Sequence, residues 1–484
     1  MSGYGILGCG AYVPLLRLPR ARIAEAHGWL NPARAAGVRG ERSVAAWDED
    51  ALTMAVEAAR DSLRDLVAQV GIDRVQLVST TPPFADRSNS GLLAAALDLP
   101  ETVVATDAGG SLRAATAALR QLAADRAPTT LLTASDRRLA RPGGGAELAY
   151  GDGAAALVVG PGEPLAEILG SAGLTRDLVD HYRATGEDFD YAFEERWVRD
   201  EGWFALVPDT ARAALDAAGI TAGDIDRFIC PAPARVAKKL AKLIGLDDAA
   251  PADPLLDTPG HTGVAHPLLQ LCAALEQATP GQRLLLVGFG QGADALVLRT
   301  TDRIGKPSAR TGVAGHLARR REEHHYMRFL SFQGLVDIDW GMRAEHDRRT
   351  AQSAHYRKRD AINAFVGGRC SACGTCQFPA SHVCVHCGAV DTQAPHRFAD
   401  SRARVKTFTE DWQAHSPAPP LMYGSVSFEE GGSVMMEYAD FAPGELAVGL
   451  ALRMAFRIKD IDERRGFRRY FWKPVAAEPP QEAR

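Results

Sequence analysis

The sequence predicts a layered α/β domain, followed by a cysteine-rich segment and a C-terminal region of antiparallel strands. In the first 300 residues, short apolar runs alternate with Ala-rich segments whose apolar residues recur at helical spacing. Runs that are apolar throughout are typical of strands covered on both faces by helices. Five of the eight cysteines then fall within residues 370–387, and runs that alternate around turns follow them.

Four runs of the first domain have the composition of buried strands, and four segments have the periodicity of helices. The predicted strands are "RVQLVST" (74–80), "TTLLTAS" (129–135), "AAALVVG" (154–160) and "RLLLVGFG" (283–290). The predicted helices lie within 50–71, 111–125, 208–219 and 267–278.

The remaining chain divides by composition into three further parts. The segment 303–365 begins polar and basic, which predicts a linker, and continues with aromatic and charged helical stretches. We expect a zinc ribbon over 366–395 and antiparallel strands over 396–478, where "VSFEEGGSVMMEYADF" and "LAVGLALRMAFRI" alternate around turns. The first domain then spans residues 1–302.

Composition excludes several classes of partner. Hydrophobic residues make up 46% and charged residues 24%, as in globular proteins, and the net charge of -5 provides no basic field for nucleic acid. No run approaches the roughly 18 apolar residues of a membrane span, and the start lacks the pattern of a secretory signal. Because the cysteines cluster rather than forming a spread disulfide framework, we expect a cytoplasmic protein.

The strongest local signal is the stretch "CSACGTCQFPASHVCVHCG". Cys370 and Cys373 form one CxxC pair, and Cys384 and Cys387 form a second pair, with ten residues between the two pairs. This spacing suits a tetrahedral four-thiolate zinc site, which leaves no open position and is therefore structural. Cys376 is a fifth candidate, but only the two chosen pairs are followed by a glycine that allows the tight turn of such a site. A redox pair or unrelated buried thiols are the alternative interpretation.

Long stretches of the chain resemble two known families. The cysteine stretch, followed by "FAPGELAVGLALRMAFRIKDIDERRGFRRYFWKP", resembles the zinc-ribbon plus OB-fold proteins that accompany acyl-CoA thiolases and acyltransferases. The stretches "GERSVAAWDEDALTMAVEAAR", "ASDRRLARPGGGAELAYGDGAAALVVG" and "DHYRATGEDFDYAFEERWVRDEGW" resemble the 3-hydroxy-3-methylglutaryl-CoA synthase branch of the thiolase superfamily. The resemblance implies a five-layered αβαβα thiolase fold, a homodimer, CoA-thioester substrates, and a C-terminal β-barrel OB fold.

The chain departs from this family at its catalytic positions. Where the synthases carry a nucleophilic cysteine five positions after an aspartate, Asp107 is followed by Leu112, on which no thioester can form. Thr81 stands where the family has its acid/base glutamate, and threonine cannot transfer that proton at neutral pH. Ser111 is the neighbouring alternative nucleophile, but a shift of one residue at a helix start turns the side chain by about 100°.

A cysteine and a histidine are nevertheless present at exchanged positions. Cys230 matches the family's histidine, and His261, in "PGHTGVAHPLL", matches its asparagine. Cys230 is interpreted either as a nucleophile with His261 as its base, or as a thiol that lines the pocket while His261 moves the proton. A buried structural thiol is the third alternative. His266 is the second candidate for the base.

The resemblance also indicates where CoA binds. Phosphates favour Arg and Lys, and the loop "GFGQGA" resembles the glycine-rich turn that approaches the substrate in this superfamily. Its lone glycine pattern does not indicate a nicotinamide cofactor, because no acidic residue follows about 20 positions on. The alternative for the basic residues is a solvated surface. The candidate CoA-binding residues are Arg39, Arg42, Lys238, Lys239, Gly290 and Gly292.

Together these observations predict a CoA-thioester enzyme that forms or cleaves a carbon–carbon bond by Claisen- or aldol-type chemistry. Loss of the cysteine and glutamate leaves a second hypothesis, a non-catalytic acyl-CoA-binding or scaffolding partner of another thiolase-type enzyme. We expect a homodimer through the first domain, and an additional enzyme subunit is a further possible partner.

Overall fold

A computed structural model of the chain describes residues 3–30, 32, 38–66, 70–192, 194–246, 251–343 and 351–477. The chain divides into two compact units. The first unit comprises Met1–Ala46, Asp50–Ala94 and Pro100–Gln333, and the second comprises Trp47–Glu49, Ala95–Leu99 and Gly334–Arg484. Part of the helical segment expected before residue 365, residues 344–350, lies outside the described residues.

In the described part of the first unit, nine strands form one mixed sheet. β1 pairs with β7 over most of its length but with β8 only at Gly5 and Ile6, so the sheet consists of two halves joined at β1. The four strands predicted from sequence are confirmed as β4, β6, β7 and β10. In spatial order the strands are β5 (Val104–Ala108), β4 (Arg74–Val78), β6 (Thr130–Asp136), β7 (Gly153–Gly162), β1 (Gly3–Tyr12), β8 (Ala166–Thr175), β11 (Gly292–Thr300), β10 (Arg283–Phe289) and β9 (Arg227–Ile229).

Helices cover both sheet halves and fill the space between them. The helices of the first unit are α1 (Arg20–Ala26), α2 (Ala51–Leu63), α3 (Asn89–Ala96), α4 (Ala114–Asp125), α5 (Gly145–Ala149), α6 (Phe204–Ala218), α7 (Ala234–Ile244), α8 (His266–Glu276), α9 (Gly312–Ala318) and α10 (Tyr326–Phe332). α2 packs on β1, β6 and β7, α4 and α8 contact strands of both halves, and α6 packs on β8 and β11 with α7 beside it. The predicted αβαβα layers are therefore confirmed.

Two predicted helices begin at different residues in the structure. The predicted start at Ser111 moves to Ala114, because the Ser111 hydroxyl donates to the carbonyl of Gly290 and holds a turn there. α6 begins at Phe204 rather than at Pro208, so the proline lies inside the helix. A π-helical turn, Val198–Trp203, immediately precedes α6. Such turns relax the regular hydrogen-bond ladder and can accommodate a residue without an N–H.

Smaller elements complete the first unit and build the second. The first unit also contains a sheet of β12 (Arg321–Glu322), β2 (Leu16–Pro19) and β3 (Glu41–Val44). The described second unit contains α11 (Gln352–Arg357), a π-helical turn (Asp360–Ala364), and a sheet of β14 (Cys376–Gln377), β13 (Val366–Cys370) and β15 (Gln393–Arg397). A six-stranded antiparallel sheet follows, with β17 (Thr409–Asp411), β18 (Leu421–Phe428), β16 (Ala403–Val405), β20 (Ala451–Asp462) and β21 (Phe467–Ala476) in order, and β19 (Ser433–Glu437) on β18.

Candidate functional site

His261 lies on a turn that is hydrogen bonded to the segment between α5 and β7. Its backbone N–H donates to the carbonyl of Ala149 (2.8 Å), and its carbonyl accepts from the N–H of Gly151 (3.1 Å). Gly263, two residues on, has φ +60°, and a Cβ there would lie 2.2 Å from an Asp136 oxygen. Only glycine fits this position, so the sequence "GHTG" fixes the turn that carries His261.

The same turn sets the protonation of the imidazole. The N–H of Gly263 donates to Nδ1 of His261 (3.2 Å), so in the neutral ring the proton resides on Nε2. Burial, followed by the charges of His266, Arg138 and His181, holds the pKa of His261 well below its usual value. Among the described residues, no group forms a hydrogen bond with Nε2 of His261. At neutral pH this atom is therefore a free N–H donor.

His266 packs beside His261 but has a structural role. The two rings stack with centroids 4.7 Å apart and an interplanar angle of 12°. Nδ1 of His266 accepts from the N–H of Thr262 (3.2 Å), and Nε2 donates to the carbonyl of Pro254 (2.8 Å). Burial lowers the pKa of His266 to about 4. With both nitrogens engaged in a fully buried ring, His266 has no free nitrogen for the role of alternative base.

Thr81 belongs to a hydrogen-bonded cluster around a buried carboxylate. Its hydroxyl donates to Asp136 Oδ1 (3.2 Å) and accepts from the N–H of Arg137 (2.9 Å). Asp136 is fully buried and also accepts from the hydroxyls of Ser79 and Thr80 and from two backbone N–H groups. Because these hydrogen bonds occupy the carboxylate, Asp136 holds its neighbours in place. One of the two backbone N–H groups belongs to Val264, so the cluster supports the turn that carries His261.

Ser111 and the glycine-rich loop meet at the start of α4. The Ser111 hydroxyl donates to the carbonyl of Gly290 (2.8 Å), so its proton faces no base. A Cβ at Gly290 would lie 2.9 Å from Ser111 Oγ, and one at Gly292 would lie 2.1 Å from the carbonyl of Leu174. Both glycines are thus required by the packing of the protein itself, and Ser111 lacks the activation of a nucleophile.

Cys230 lies in an apolar cluster between α6, α7 and the sheet. It is 4% exposed and packs with residues such as Phe228, Leu240 and Leu285. Burial raises the pKa of its thiol strongly, which disfavours the thiolate. No hydrogen bond joins the thiol to His261 within the described residues. The arrangement matches the third alternative, a buried structural thiol.

An aspartate–histidine pair that sequence reasoning missed lies on the segment that follows β8. Nδ1 of His181 hydrogen bonds with Oδ2 of Asp180 at 2.8 Å, with the two side chains 17% and 8% exposed. Because an ionised carboxylate can only accept, Nδ1 carries the proton and Nε2 of His181 offers a lone pair. When His181 is protonated, its charge is one of those that lower the pKa of His261. The one available signal was the adjacent "DH" in "VDHYR", which carries no diagnostic spacing.

Polar contacts hold the segment of His181 against the strand ends. Tyr182 and Tyr191 exchange backbone hydrogen bonds of 3.0 and 2.8 Å, which closes the segment into a loop. Asp190 accepts from the Tyr150 hydroxyl (2.8 Å) and pairs with Arg138 (2.6 Å). Tyr150 in turn forms a β-bridge with His261. The loop is therefore tied to the same turn that carries His261.

The candidate CoA-binding residues separate by burial. Arg39, Lys238 and Lys239 are exposed, and the two lysines lie on α7. The ammonium group of Lys239 also lies over the ring of Phe204. Arg42 is 1% exposed, donates to the carbonyl of Glu147, and lies over the Phe329 ring. A buried guanidinium with these partners stabilises the fold and cannot reach a phosphate in solvent.

The four predicted ribbon cysteines come together. Their sulfurs all lie within 4.8 Å of one another, and the pairs Cys370–Cys387 and Cys373–Cys384 are each separated by 3.7 Å. Since Zn–S bonds are about 2.3 Å long, the edge of a tetrahedral zinc site is about 3.8 Å. The geometry fits the predicted structural zinc, which these residues would hold without an open position.

Comparison with known proteins identifies the family. The hydroxymethylglutaryl-CoA synthase of Aeropyrum pernix is 31% identical to this chain over 348 residues, which cover 70% of this chain and 96% of that protein. The chain belongs to the hydroxymethylglutaryl-CoA synthase family. The synthase of Caldivirga maquilingensis is 29% identical over 70% of this chain and 99% of its own length. The resemblance seen in the sequence is thereby confirmed.

Domain families and solved structures agree with this family. The family "3-Oxoacyl-[acyl-carrier-protein (ACP)] synthase III C terminal" matches residues 215–300, and "ChsH2, rubredoxin-like zinc ribbon domain" matches 357–391. A structure of MvaS with 3-hydroxy-3-methylglutaryl coenzyme A has a TM-score of 0.58 at 20% identity, covering 69% of this chain and 93% of that one. FabH from Pseudomonas aeruginosa has a TM-score of 0.54 at 21% identity, covering 62% and 98%. These structures show the thiolase-type fold, and no described helix is long and apolar enough to cross a membrane.

Proposed function

We propose that this protein forms or cleaves a carbon–carbon bond next to a CoA thioester by aldol-type chemistry, without a covalent acyl-enzyme. The observation that carries the proposal is that the loop that follows His181 is hydrogen bonded, through Asp190, to Tyr150, which is bridged to His261. His261 presents a neutral N–H donor, and His181, oriented by Asp180, presents a lone pair. Leu112 occupies the position of the family's nucleophile, and an aldol addition does not require one.

The proposed reaction begins with removal of a proton from the α-carbon of the acyl group. Nε2 of His181 takes this proton, the C–H bond breaks, and its electron pair forms an enolate whose charge develops on the thioester oxygen. The N–H at Nε2 of His261 donates to that oxygen, which is the role of an oxyanion-hole donor. The enolate carbon then attacks the carbonyl carbon of a second substrate, and His181 returns the proton to the new alkoxide. The reverse sequence cleaves a 3-hydroxyacyl thioester.

This assignment changes the role predicted for His261. A ring whose Nδ1 accepts a backbone N–H and whose pKa is depressed is suited to donate a hydrogen bond, whereas a base needs an available lone pair. Asp180 supplies what a base requires, because its carboxylate fixes the tautomer of His181 and stabilises the imidazolium formed on proton transfer. Cys230 has no part in the proposed reaction.

We propose that the protein binds its substrate through the CoA moiety. Relatives of this fold have been solved with 3-hydroxy-3-methylglutaryl coenzyme A and with CoA, which supports a CoA thioester here. Lys238 and Lys239, exposed at the surface of α7, and the exposed Arg39 are the proposed phosphate contacts. Their positive charges suit the phosphates of CoA, and they are exposed, whereas Arg42 is buried.

The proposal extends to assembly and location. β5 is an edge strand of the first unit's sheet, with Val104 53% exposed, and an unpaired edge of this kind suits pairing with a second copy. We propose a homodimer through this domain, a cytoplasmic location, and an OB-type barrel in the C-terminal sheet. Sedimentation of the full chain tests the dimer, and a monomer at micromolar concentration would contradict it.

The catalytic proposal is tested by exchange of α-protons with solvent. The protein is incubated in D₂O with a panel of acyl-CoAs, and deuterium in the recovered thioester is measured by mass spectrometry. His181→Gln is expected to slow exchange by about 10²–10⁴-fold and His261→Leu by about 10²–10³-fold. His324→Gln, which changes an exposed histidine paired with Glu322, is the matched control and keeps the wild-type rate.

The outcomes separate the proposal from its alternative. Exchange that persists undiminished in His181→Gln would reject the assigned base. If acyl-CoAs bind with micromolar affinity but none exchanges, the chain is instead a non-catalytic acyl-CoA-binding or scaffolding partner, the second hypothesis from the sequence. Binding is measured on the same variants by calorimetry, so that a loss of exchange is not confused with a loss of affinity.

A further inference from the structure

A second group of metal-binding side chains lies in the second unit, apart from the four ribbon cysteines. Cys376 lies on β14, His396 lies on β15, and Glu430 lies in the turn between β18 and β19. Their ligand atoms all lie within 4.8 Å of one another. Three residues from separate elements, with no two adjacent in sequence, thus converge on one point.

We propose that Cys376, His396 and Glu430 form a second binding site for a divalent zinc-class cation. Thiolate, imidazole and carboxylate are the three ligand types that Zn²⁺ uses in proteins. Three protein ligands leave the fourth tetrahedral position to a water molecule. This donor set differs from the closed four-sulfur site of the ribbon, which uses Cys370, Cys373, Cys384 and Cys387.

The distances suit a common metal ligand sphere. Nε2 of His396 lies 3.1 Å from Oε2 of Glu430. With Zn–N and Zn–O bonds of about 2.0–2.1 Å, two ligand atoms of a tetrahedral site are about 3.3–3.4 Å apart. For the longer Zn–S bond, the separation from sulfur to either atom is about 3.5 Å, so the cysteine need approach by no more than about 1.3 Å.

The backbone brings the carboxylate to the cysteine by a close packing contact. Gly431 and Gly432 follow Glu430 with φ +106° and +87°, conformations that favour glycine. A Cβ on either residue would lie 3.3 Å from backbone atoms of Cys376. The double glycine therefore lets the turn pack directly on Cys376 and sets Glu430 beside it.

Burial leaves the group open on one side. Cys376 is fully buried, whereas the side chain of His396 is 16% exposed and that of Glu430 is 46% exposed. A cation can therefore enter past the carboxylate, and the thiol at the inner end is shielded from bulk solvent. This is the accessibility expected of an exchangeable metal site.

Arg369 competes for the same carboxylate. Its Nη2 lies 2.6 Å from Oε2 of Glu430, the oxygen that also faces His396. Both side chains of this pair are about half exposed, so the ion pair contributes little and a divalent ion can replace it. Removal of the guanidinium is expected to tighten the second site, a result that a purely structural role of these residues would not produce.

The test is metal stoichiometry on the full-length, untagged chain. The protein is equilibrated with excess Zn²⁺, desalted, and analysed by elemental mass spectrometry, and its folded content is checked by circular dichroism. We expect two zinc ions per chain in the wild type and one in His396→Gln, Glu430→Gln and Cys376→Ser. The neighbouring Glu429→Gln keeps two and is the matched control, because Glu429 pairs with Arg404 instead.

Cobalt substitution gives an independent measurement at the same site. The second equivalent of Co²⁺ is expected to add a thiolate-to-cobalt band that is missing in Cys376→Ser and still present in Arg369→Gln, where affinity rises several-fold. A wild-type chain that retains a single metal at saturation overturns the proposal. So does a second metal that survives both His396→Gln and Glu430→Gln.

Discussion

Burial of His266 as a neutral ring links the stability of the first unit to pH. Its pKa is lowered to about 4 in the folded protein, against about 6.5 in an unfolded chain. Between these values the unfolded state binds more protons, so stability is present above pH 6.5 and is lost as pH falls towards 4. At 1.36 kcal/mol per unit, the full effect is about 3 kcal/mol, of which about 2 kcal/mol is lost between pH 7 and pH 5.

The assay is hydrogen exchange of the α8 backbone amides (His266–Glu276), read by mass spectrometry at pH 7 and pH 5 and corrected for intrinsic exchange. His266→Gln can still donate to the carbonyl of Pro254 but cannot titrate. The wild type should lose about 2 kcal/mol more protection than this variant between the two pH values, because only the wild type has a titrating ring at position 266. Equal losses in both proteins would refute the assignment of His266 as a buried neutral ring.

Three further predictions follow from the same geometry. Cys230→Ala leaves the α-proton exchange rate unchanged, because the thiol lies in an apolar cluster; a loss above about tenfold would make it catalytic. Gly263→Ala lowers stability by more than about 1 kcal/mol in urea titration, since its Cβ would strike Asp136, and wild-type stability would contradict the turn geometry. Removal of zinc with a strong chelator increases amide exchange in β13 and β15 but leaves β10 protected, and unchanged β13 protection would exclude a structural zinc site.

Features with a regular spacing could be predicted from the sequence. The two CxxC pairs specified the ribbon sulfurs because a tetrahedral site needs four thiolates at short, fixed separations. Four apolar runs specified β4, β6, β7 and β10, because strands covered on both faces are apolar over most of their length. The long resemblances supplied the layer order, and the structure places α4 and α8 between the sheet halves as they implied.

Features that depend on distant contacts could not be predicted. Arg42 carries the positive charge expected of a phosphate ligand, yet tertiary packing buries its side chain against Phe329. The tautomer of His261 depends on one backbone N–H whose direction only the folded turn defines. The position of His181 and Asp180 depends on the hydrogen bond from the Tyr150 hydroxyl to Asp190, which holds their loop. Tyr150 and Asp190 are 40 positions apart in sequence.

The most direct test of the proposed chemistry is the intact mass of the protein after incubation with acyl-CoAs. The sample is quenched while the thioester is gaining deuterium from solvent, and any modified protein is mapped by peptide. Our account predicts an unmodified protein mass in a sample whose acyl-CoA has exchanged its α-protons. An increase equal to the acyl group, mapped to Cys230 or Ser111, would contradict it and establish a covalent acyl-enzyme on a relocated nucleophile.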